Sequence, residues 1–300
     1  MTDRRRFLQW TGLAAGALLT PPLLAATGGA PASRPFAGAP DFATLEAASG
    51  GRLGVAVLDA HGRYLHGHRP DERFPMCSTF KAMLAAAVLA AADRGDLDPD
   101  QRVPVREDDL VDHSPVVRRH VGKDLTLRDL CRATMVTSDN AAANLLLRRI
   151  GGPPALTAFL RAHGDPVTRS DRMEPEMNRF TPGDPRDTTT PRAMAVSLGR
   201  CVLGPVLSPA SRGQLADWLI DNGTGDACLR AGLGPQWRVG DRTGSNGVDT
   251  RNDIAVVWPR DGGAPWVVTA YLQGATVDSA ARDAVLAHAG RLAAAQVART

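Results

Sequence analysis

Ser78 and Lys81 are the two residues of this sequence whose types and spacing most directly indicate covalent chemistry. They lie three residues apart at the start of an uninterrupted apolar run, 82–92, which predicts a helix buried on every side. Residues at positions i and i+3 lie on the same face of a helix, so we expect the hydroxyl and the amine to meet. A serine becomes a good nucleophile when a neighbouring base removes its proton, and a lysine whose pKa is lowered by burial can be that base.

The lysine at this position is informative because the chain otherwise uses arginine. Lys81 and Lys123 are the only lysines among the 35 lysine and arginine residues. Arginine does not give up its proton in proteins, so lysine here is consistent with a need for a titratable amine. Ser78 would also lie in the first turn of the helix. Its backbone N–H would then be free to stabilise a developing oxyanion.

Two other segments contain polar side chains that could contact a substrate. The segment 138–140, Ser-Asp-Asn, precedes a helical pattern, and a purely structural role as a helix N-cap is the alternative interpretation. The segment 242–245, Arg-Thr-Gly-Ser, ends a predicted strand. It offers a cation and hydroxyl groups for a carboxylate, and the N–H of Ser245 could complete an oxyanion hole; a turn with a basic flank is the alternative.

A loop rich in proline and aspartate, at about 169–191, contains a candidate general base. Glu174 could activate a water molecule, and the amide of Asn178 could position it. Arg172 and Asp187 could hold the two ends of the loop together by an ion pair. A solvated acidic loop without a catalytic role is the alternative.

Strand patterns lie near both ends of the chain and helical patterns lie between them. The end strands can pair into one sheet, which leaves the middle as an inserted lobe. We therefore predict an α/β protein of the α+β type, with a five-stranded antiparallel sheet flanked by helices and an inserted all-helical lobe. The expected boundaries are 33–68 and 218–300 for the α/β lobe, and 69–217 for the helical lobe that carries the Glu174 loop.

The composition and the first residues indicate a globular protein that works outside the cytoplasm. A hydrophobic content of 43% over 300 residues can fill a core, and a net charge of +3 without basic clusters gives no indication of nucleic-acid binding. The segment 4–8, Arg-Arg-Arg-Phe-Leu, resembles the twin-arginine export motif. We expect residues 1–32 to be a cleaved export signal and the mature protein to be periplasmic or secreted. An ordinary secretory signal and an uncleaved anchor are the alternatives.

The four cysteines of an exported chain favour disulfide bonds, but the sequence does not select a pairing among Cys77, Cys131, Cys201 and Cys228. Buried free thiols are an equally good interpretation for Cys77 and Cys131. The sequence shows no cluster of ligands that would predict a metal site.

Taken together, the motifs resemble those of the class A serine β-lactamases. The chain contains, in order, Ser78-Thr79-Phe80-Lys81, Ser138-Asp139-Asn140, Arg172-x-Glu174-Pro175-Glu176-Met177-Asn178 and Arg242-Thr243-Gly244. The similarity extends over about residues 40–298. It implies a monomeric enzyme without metal or cofactor that hydrolyses the β-lactam ring of penicillins, and of some cephalosporins, through a serine acyl-enzyme. Such an enzyme confers antibiotic resistance.

The resemblance also assigns roles to these side chains. The catalytic residues would be Ser78, Lys81, Ser138 and Glu174. The substrate-binding residues would be Asn140, Asn178, Arg242, Thr243, Ser245 and Arg251. Either Lys81, or Glu174 through a water molecule, would take the proton of Ser78, and Ser138 would protonate the departing nitrogen. The N–H groups of Ser78 and Ser245 would form the oxyanion hole, and a cis bond would precede Pro175.

The chain departs from the family pattern at several positions. Arg242 stands where the family usually has lysine, so two guanidinium groups, those of Arg242 and Arg251, are expected near the substrate carboxylate. His113 replaces a common aromatic residue. Cys77 stands where some carbapenem-hydrolysing members have a disulfide cysteine, but Asn246 occupies the position of its partner, so the resemblance implies that this bridge is absent. We therefore predict mainly penicillin hydrolysis and do not predict a carbapenemase. A penicillin-binding DD-peptidase or transpeptidase and a non-catalytic β-lactam sensor are the alternative functions.

Overall fold

The structure, a computed structural model, describes Phe36 and residues 38–299 and is built on a five-stranded antiparallel sheet. The strands are β1 (Arg52–Asp59), β2 (Tyr64–His68), β3 (Trp237–Ser245), β4 (Arg251–Pro259) and β5 (Trp266–Gln273). Their order across the sheet is β2-β1-β5-β4-β3, so the pairing of β1 with β5 joins the two ends of the chain. The predicted antiparallel sheet formed from both chain ends is confirmed.

Nine α-helices lie within the described residues. They are α1 (Phe42–Ser49), α2 (Phe80–Asp93), α3 (Leu127–Val136), α4 (Asn140–Ile150), α5 (Pro153–Ala162), α6 (Pro191–Val202), α7 (Pro209–Ile220), α8 (Leu229–Gly232) and α9 (Ser279–Val297). The segment of chain between β2 and β3 also contains two pairs of short strands. Phe74–Pro75 pairs with Thr188–Thr189, and Arg102–Pro104 pairs with Asp124–Thr126. Helices α1 and α4 each end at a glycine, Gly50 and Gly151, which caps the helix in the left-handed conformation.

Each face of the sheet packs into its own hydrophobic core because side chains alternate along a strand. In β1, Leu53, Val55 and Val57 pack into the core that also contains residues of α1 and α9. Ala56 and Leu58 belong to the other core, which the central helices fill. Since helices cover both faces, the sheet forms a rigid base on which the edge strand β3 is fixed.

Helix α2 runs through the larger core, as its sequence predicts. Every residue from Phe80 to Ala91 is buried, including Lys81. A single 3₁₀ turn, Cys77–Thr79, precedes the helix and carries Ser78. The buried helix carries Lys81, and the turn attached to its first residue carries Ser78.

The four cysteines are all buried and free, so the structure contains none of the disulfide bonds that the sequence left open. Among the described residues, no group of three or more His, Cys, Asp or Glu side chains could hold a metal ion. No helix in this part of the chain is long and apolar enough to cross a membrane. The predicted export signal, residues 1–32, lies outside the described residues.

Candidate active site

Ser78, Lys81 and Glu174 meet in the interior of the protein. The Ser78 hydroxyl donates a hydrogen bond to Oε1 of Glu174 at 3.3 Å, and Nζ of Lys81 lies 3.2 Å from the same oxygen. The side chains of Lys81 and Glu174 are fully buried, whereas Ser78 is 9% exposed. The nucleophile candidate is thus the member of this group that a substrate can reach. The carboxylate lies within direct hydrogen-bonding distance of the hydroxyl.

Lys81 is surrounded by acceptors. Its ammonium lies within 3.2 Å of the backbone oxygen and Oγ of Ser138, Oδ1 of Asn140 and Oε1 of Glu174. Burial lowers the pKa of Lys81 to about 8, although Glu174 acts in the opposite direction, and the nearby Arg242 lowers it further. At neutral pH the amine is still mostly charged, which suits a set of four oxygen neighbours. It can nevertheless lose a proton at little cost.

Ser138 connects the lysine to Arg242. The Ser138 hydroxyl accepts hydrogen bonds from Nζ of Lys81 at 3.2 Å and from Nη2 of Arg242 at 2.6 Å. Two donors point at this oxygen, so its own hydrogen is directed elsewhere and can be donated to a substrate atom. The backbone of Ser138 has φ 62°, a left-handed conformation that is strained for a residue with a side chain.

The segment 138–140 begins α4 and also brings two side chains next to Lys81. Asp139 caps α4 by accepting a hydrogen bond from the N–H of Ala142, so the structural interpretation applies to the middle residue. Its other carboxylate oxygen accepts the N–H groups of Val116 and Val117. Asn140 faces the site instead, with Oδ1 2.5 Å from Nζ of Lys81 and Nδ2 donating to the Asp112 carbonyl. The cap therefore fixes the two side chains on either side of it.

Glu174 is held in place by a network within its loop. Oε2 accepts a hydrogen bond from Nδ2 of Asn178 at 2.6 Å. The backbone N–H and C=O of Glu174 both bond to the side-chain amide of Asn144, each at 2.9 Å. Arg172 and Asp187 form an ion pair at 2.6 Å that joins the ends of the loop, and the bond between Glu174 and Pro175 is cis. These contacts fix the carboxylate next to Ser78.

The edge strand β3 approaches the backbone of Ser78 closely. A Cβ atom at Gly244 would lie 3.1 Å from the Ser78 nitrogen and 2.8 Å from the Met76 carbonyl oxygen, so glycine alone permits this approach. Asn252, on the neighbouring strand β4, donates from Nδ2 to the carbonyls of Pro75 and Met76. Ser245 follows Gly244 directly, which places the two proposed oxyanion donors on adjoining segments.

Arg242 and Arg251 both contact Thr224. Nη1 of Arg242 is 3.4 Å from the Thr224 hydroxyl, and Nη2 of Arg251 donates to the Thr224 carbonyl at 3.1 Å. The Thr224 hydroxyl also lies 2.5 Å from that of Thr243. Burial lowers the pKa of Arg242 to about 10, which still leaves the guanidinium charged at neutral pH. The expected convergence of the two cations is thus seen around a residue that the sequence did not indicate.

Three residues of this arrangement were missed from the sequence. Asn144 lies one turn after Asn140 in α4, and that i, i+4 spacing could have identified it. Thr224 lies in an irregular segment and Asn252 near the start of a strand, and neither has a local pattern that indicates its contacts. Both reach the site through tertiary contacts, which depend on the completed fold.

Comparisons with known proteins identify the family. The sequence profile described as "Beta-lactamase enzyme family" matches residues 39–297. The chain is 62% identical to Beta-lactamase L2 of Stenotrophomonas maltophilia over 98% of both chains, and 46% identical to Beta-lactamase CTX-M-8 of Citrobacter amalonaticus over 84% of this chain and 86% of that one.

Solved structures show the same relationship. A crystal structure of L2 complexed with relebactam superimposes with a TM-score of 0.85 at 67% identity, covering 88% of this chain and 97% of that one. An ancestral class A β-lactamase superimposes with a TM-score of 0.82 at 61% identity, covering 84% of this chain and 97% of that one. The family match spans most of the chain, and the fold and motifs agree with it. The chain therefore belongs to the class A serine β-lactamase family.

Proposed function

We propose that this protein hydrolyses the β-lactam ring of penicillins, and of some cephalosporins, through an acyl-enzyme on Ser78. The observation that carries the proposal is the buried contact of one Glu174 oxygen with both the Ser78 hydroxyl and the Lys81 ammonium, at 3.3 and 3.2 Å. A nucleophile with an adjacent proton acceptor is the arrangement that acyl transfer requires. The other groups of the site supply the remaining steps of the reaction.

In acylation, Oγ of Ser78 attacks the lactam carbonyl carbon and its proton passes to Glu174. The geometry favours Glu174 over Lys81 as the acceptor, because the hydroxyl is hydrogen-bonded to the carboxylate and Lys81 is mostly charged at neutral pH. The N–H groups of Ser78 and Ser245 stabilise the oxyanion of the tetrahedral intermediate. This intermediate then breaks down with loss of the C–N bond.

The departing nitrogen takes a proton from the Ser138 hydroxyl. Lys81 restores the proton on Ser138, since Nζ is 3.2 Å from that oxygen, and it recovers a proton from Glu174, whose Oε1 is equally close. The relay returns every group to its starting protonation state and leaves Ser78 acylated. It requires an amine that can lose a proton transiently, and the lowered pKa of Lys81 meets that requirement.

In deacylation, Glu174 removes a proton from water, which attacks the ester carbonyl, and the proton then passes to Oγ of Ser78. Asn178 donates to Glu174 through Nδ2, and its buried Oδ1 has no hydrogen-bond partner among the described residues. That oxygen can accept a hydrogen bond from the attacking water. The amide thus positions the water beside the base.

Substrate binding uses the remaining polar groups. Arg242, Thr243 and Arg251 would bind the substrate carboxylate, because they bring two cations and a hydroxyl together around Thr224. Asn140 uses one hydrogen of its Nδ2 group for the Asp112 carbonyl, and the other is available for a substrate amide oxygen.

The Arg242→Lys variant tests whether position 242 needs only a positive charge. We expect it to retain activity, with kcat/KM for penicillins within about tenfold of the wild type, because lysine keeps the charge but lacks the second hydrogen-bonding arm. The ranking of penicillins should change, since the contact with Ser138 is altered. Steady-state kinetics with several penicillins measures this. Complete inactivation would contradict the role as a source of charge.

Turnover of nitrocefin by the purified mature protein tests the proposed function against its alternatives. A β-lactamase hydrolyses many equivalents of nitrocefin, whereas a DD-peptidase or a sensor releases about one equivalent in a single burst and then stalls. We expect sustained turnover, because Glu174 is placed to deliver water to the acyl-enzyme. A burst without turnover would overturn the proposal and support the alternatives.

We also propose that the mature enzyme is an exported monomer, located in the periplasm or secreted. The twin-arginine motif at 4–8 supports export. Cell fractionation of the wild type and of a variant with both Arg4 and Arg5 changed to lysine would test the route.

A further inference from the structure

Arg251 is anchored by three neighbours. Nε donates to Oδ1 of Asp283 at 2.6 Å, and Nη2 donates to the Thr224 carbonyl and to Sγ of Cys228, both at 3.1 Å. Within the part of the chain that the structure describes, no hydrogen bond involves Nη1. Nε and Nη2 of the guanidinium are thus held in place, and the hydrogens of Nη1 are available to bind an anion. The side chain is 18% exposed, which permits contact with a ligand.

Cys228 contacts both Arg251 and Asp283 through an uncharged thiol. Its S–H donates to Oδ1 of Asp283 at 3.3 Å, and its sulfur accepts from Nη2 of Arg251. Burial raises the pKa of the Cys228 thiol well above its ordinary value, so the group stays neutral at physiological pH. The thiol therefore contacts both members of the ion pair without competing for either charge.

The backbone around Cys228 is rigidly held. The N–H of Cys228 donates to the Gly225 carbonyl at 2.9 Å. The next N–H, that of Leu229, donates to the buried carboxylate of Asp253 at 3.0 Å. Cys228 is itself fully buried. The sulfur consequently sits at a fixed position, from which it can restrict the orientation of a flexible arginine.

We propose that Cys228 is a positioning residue for Arg251, and that its thiol holds the guanidinium in the orientation that binds the substrate carboxylate. This inference rests on the proposed function. Without the thiol, Nη2 loses one of its two acceptors and Asp283 loses a donor. The guanidinium then gains rotational freedom, which carboxylate binding must remove again. The effect should be restricted to substrates that carry the carboxylate.

The test compares kcat/KM for a penicillin with kcat/KM for its methyl ester, which lacks the charged carboxylate. In Cys228→Ala the ratio of acid to ester should fall about 3- to 10-fold, the size expected for the loss of one weak hydrogen bond, since sulfur is a poor hydrogen-bonding atom. Cys228→Ser, which keeps a hydrogen-bonding group, should retain most of the ratio. Cys201→Ala removes another buried free thiol, in α6, and should leave the ratio unchanged.

The outcomes separate this inference from the function on which it rests. An unchanged ratio in Cys228→Ala, or an equal fall in Cys201→Ala, would overturn the positioning role while leaving β-lactam hydrolysis intact. A general loss of packing would lower kcat/KM for acid and ester equally, and that result would also overturn it. If the wild type hydrolyses acid and ester equally well, carboxylate binding by Arg251 fails and the inference fails with it. Absence of all turnover would contradict the proposed function itself.

Discussion

The Glu174→Gln variant should trap the acyl-enzyme. Glutamine keeps the size of the side chain but cannot remove a proton from water, so deacylation should slow by about 10²- to 10⁴-fold. Acylation should also slow, because glutamine cannot take the proton of the Ser78 hydroxyl, but Lys81 remains as a second base. Mass spectrometry after incubation with a penicillin should show a protein heavier by the mass of the intact antibiotic, and the adduct should persist.

The loop offers a matched control for this variant. Glu176 lies two residues after Glu174 but is exposed, so Glu176→Gln removes the same charge without touching the site. We expect it to turn over penicillins at the wild-type rate and to show no lasting adduct. Rapid, complete turnover by Glu174→Gln would show that another group activates the water, and the role assigned to the carboxylate would be wrong.

The Lys81→Arg variant should lose most of its acylation although the positive charge remains. The proton relay through Ser138 needs an amine that can become neutral, and arginine cannot supply this at neutral pH. The expected fall in the acylation rate is about 10²- to 10⁴-fold, the usual contribution of a positioned proton-transfer group. Stopped-flow measurement of the first turnover checks it, and near-normal acylation would refute the need for a titratable amine.

Lys123→Arg is the natural control, because Lys123 is the other lysine of the chain and is exposed. It should acylate at the wild-type rate. The thermal stability of both variants should be measured as well, because Lys81 is fully buried and the larger arginine could disturb the fold. A folded, inactive Lys81→Arg protein beside an active Lys123→Arg protein assigns the loss to proton transfer.

The pH dependence of acylation distinguishes the two bases that the family resemblance left open. The pKa of Lys81 is lowered to about 8, so the amine is mainly charged below pH 8 and mainly neutral above it. If Glu174 takes the proton of Ser78 and charged Lys81 supplies Ser138, kcat/KM should fall as the pH rises through 8. A rate that increases through the same range would instead identify neutral Lys81 as the base.

Local patterns in the sequence predicted the catalytic segments well. The uniform apolar run after Ser78 can be accommodated only in a core, and α2 is buried throughout. The N-cap at Asp139 and the glycine after Ile150 mark the ends of α4, because capping depends on neighbours in the chain. Motif spacing then identified side chains that the structure brings together, Ser78, Lys81 and Glu174, although their mutual distances required the fold.

The contacts that support the site were not predictable in the same way. Arg251 bonds to Asp283, 32 positions later, and to Thr224 and Cys228, 27 and 23 positions earlier. No helix or strand period connects these positions, and many other pairings would satisfy the same residue types. Cys228 illustrates the point. The expected export of the chain favoured disulfides, yet Cys228 is a free thiol that contacts the ion pair of Arg251 and Asp283.

The pairing of β1 with β5 has a consequence for how activity arises during synthesis. This pair brings Arg52 and Gln273 into register, across 221 positions of the chain. Residues 242–245 lie on the edge strand β3, which is joined to β1 only through β4 and β5. They therefore cannot face Ser78 until the last third of the polypeptide has emerged. A ribosome-bound fragment that ends before β3 therefore contains Ser78 but lacks Arg242, Thr243 and Arg251, the residues proposed to bind the substrate carboxylate. Such long-range closure makes folding comparatively slow. The proposed twin-arginine route would move the chain across a membrane only after this folding is finished.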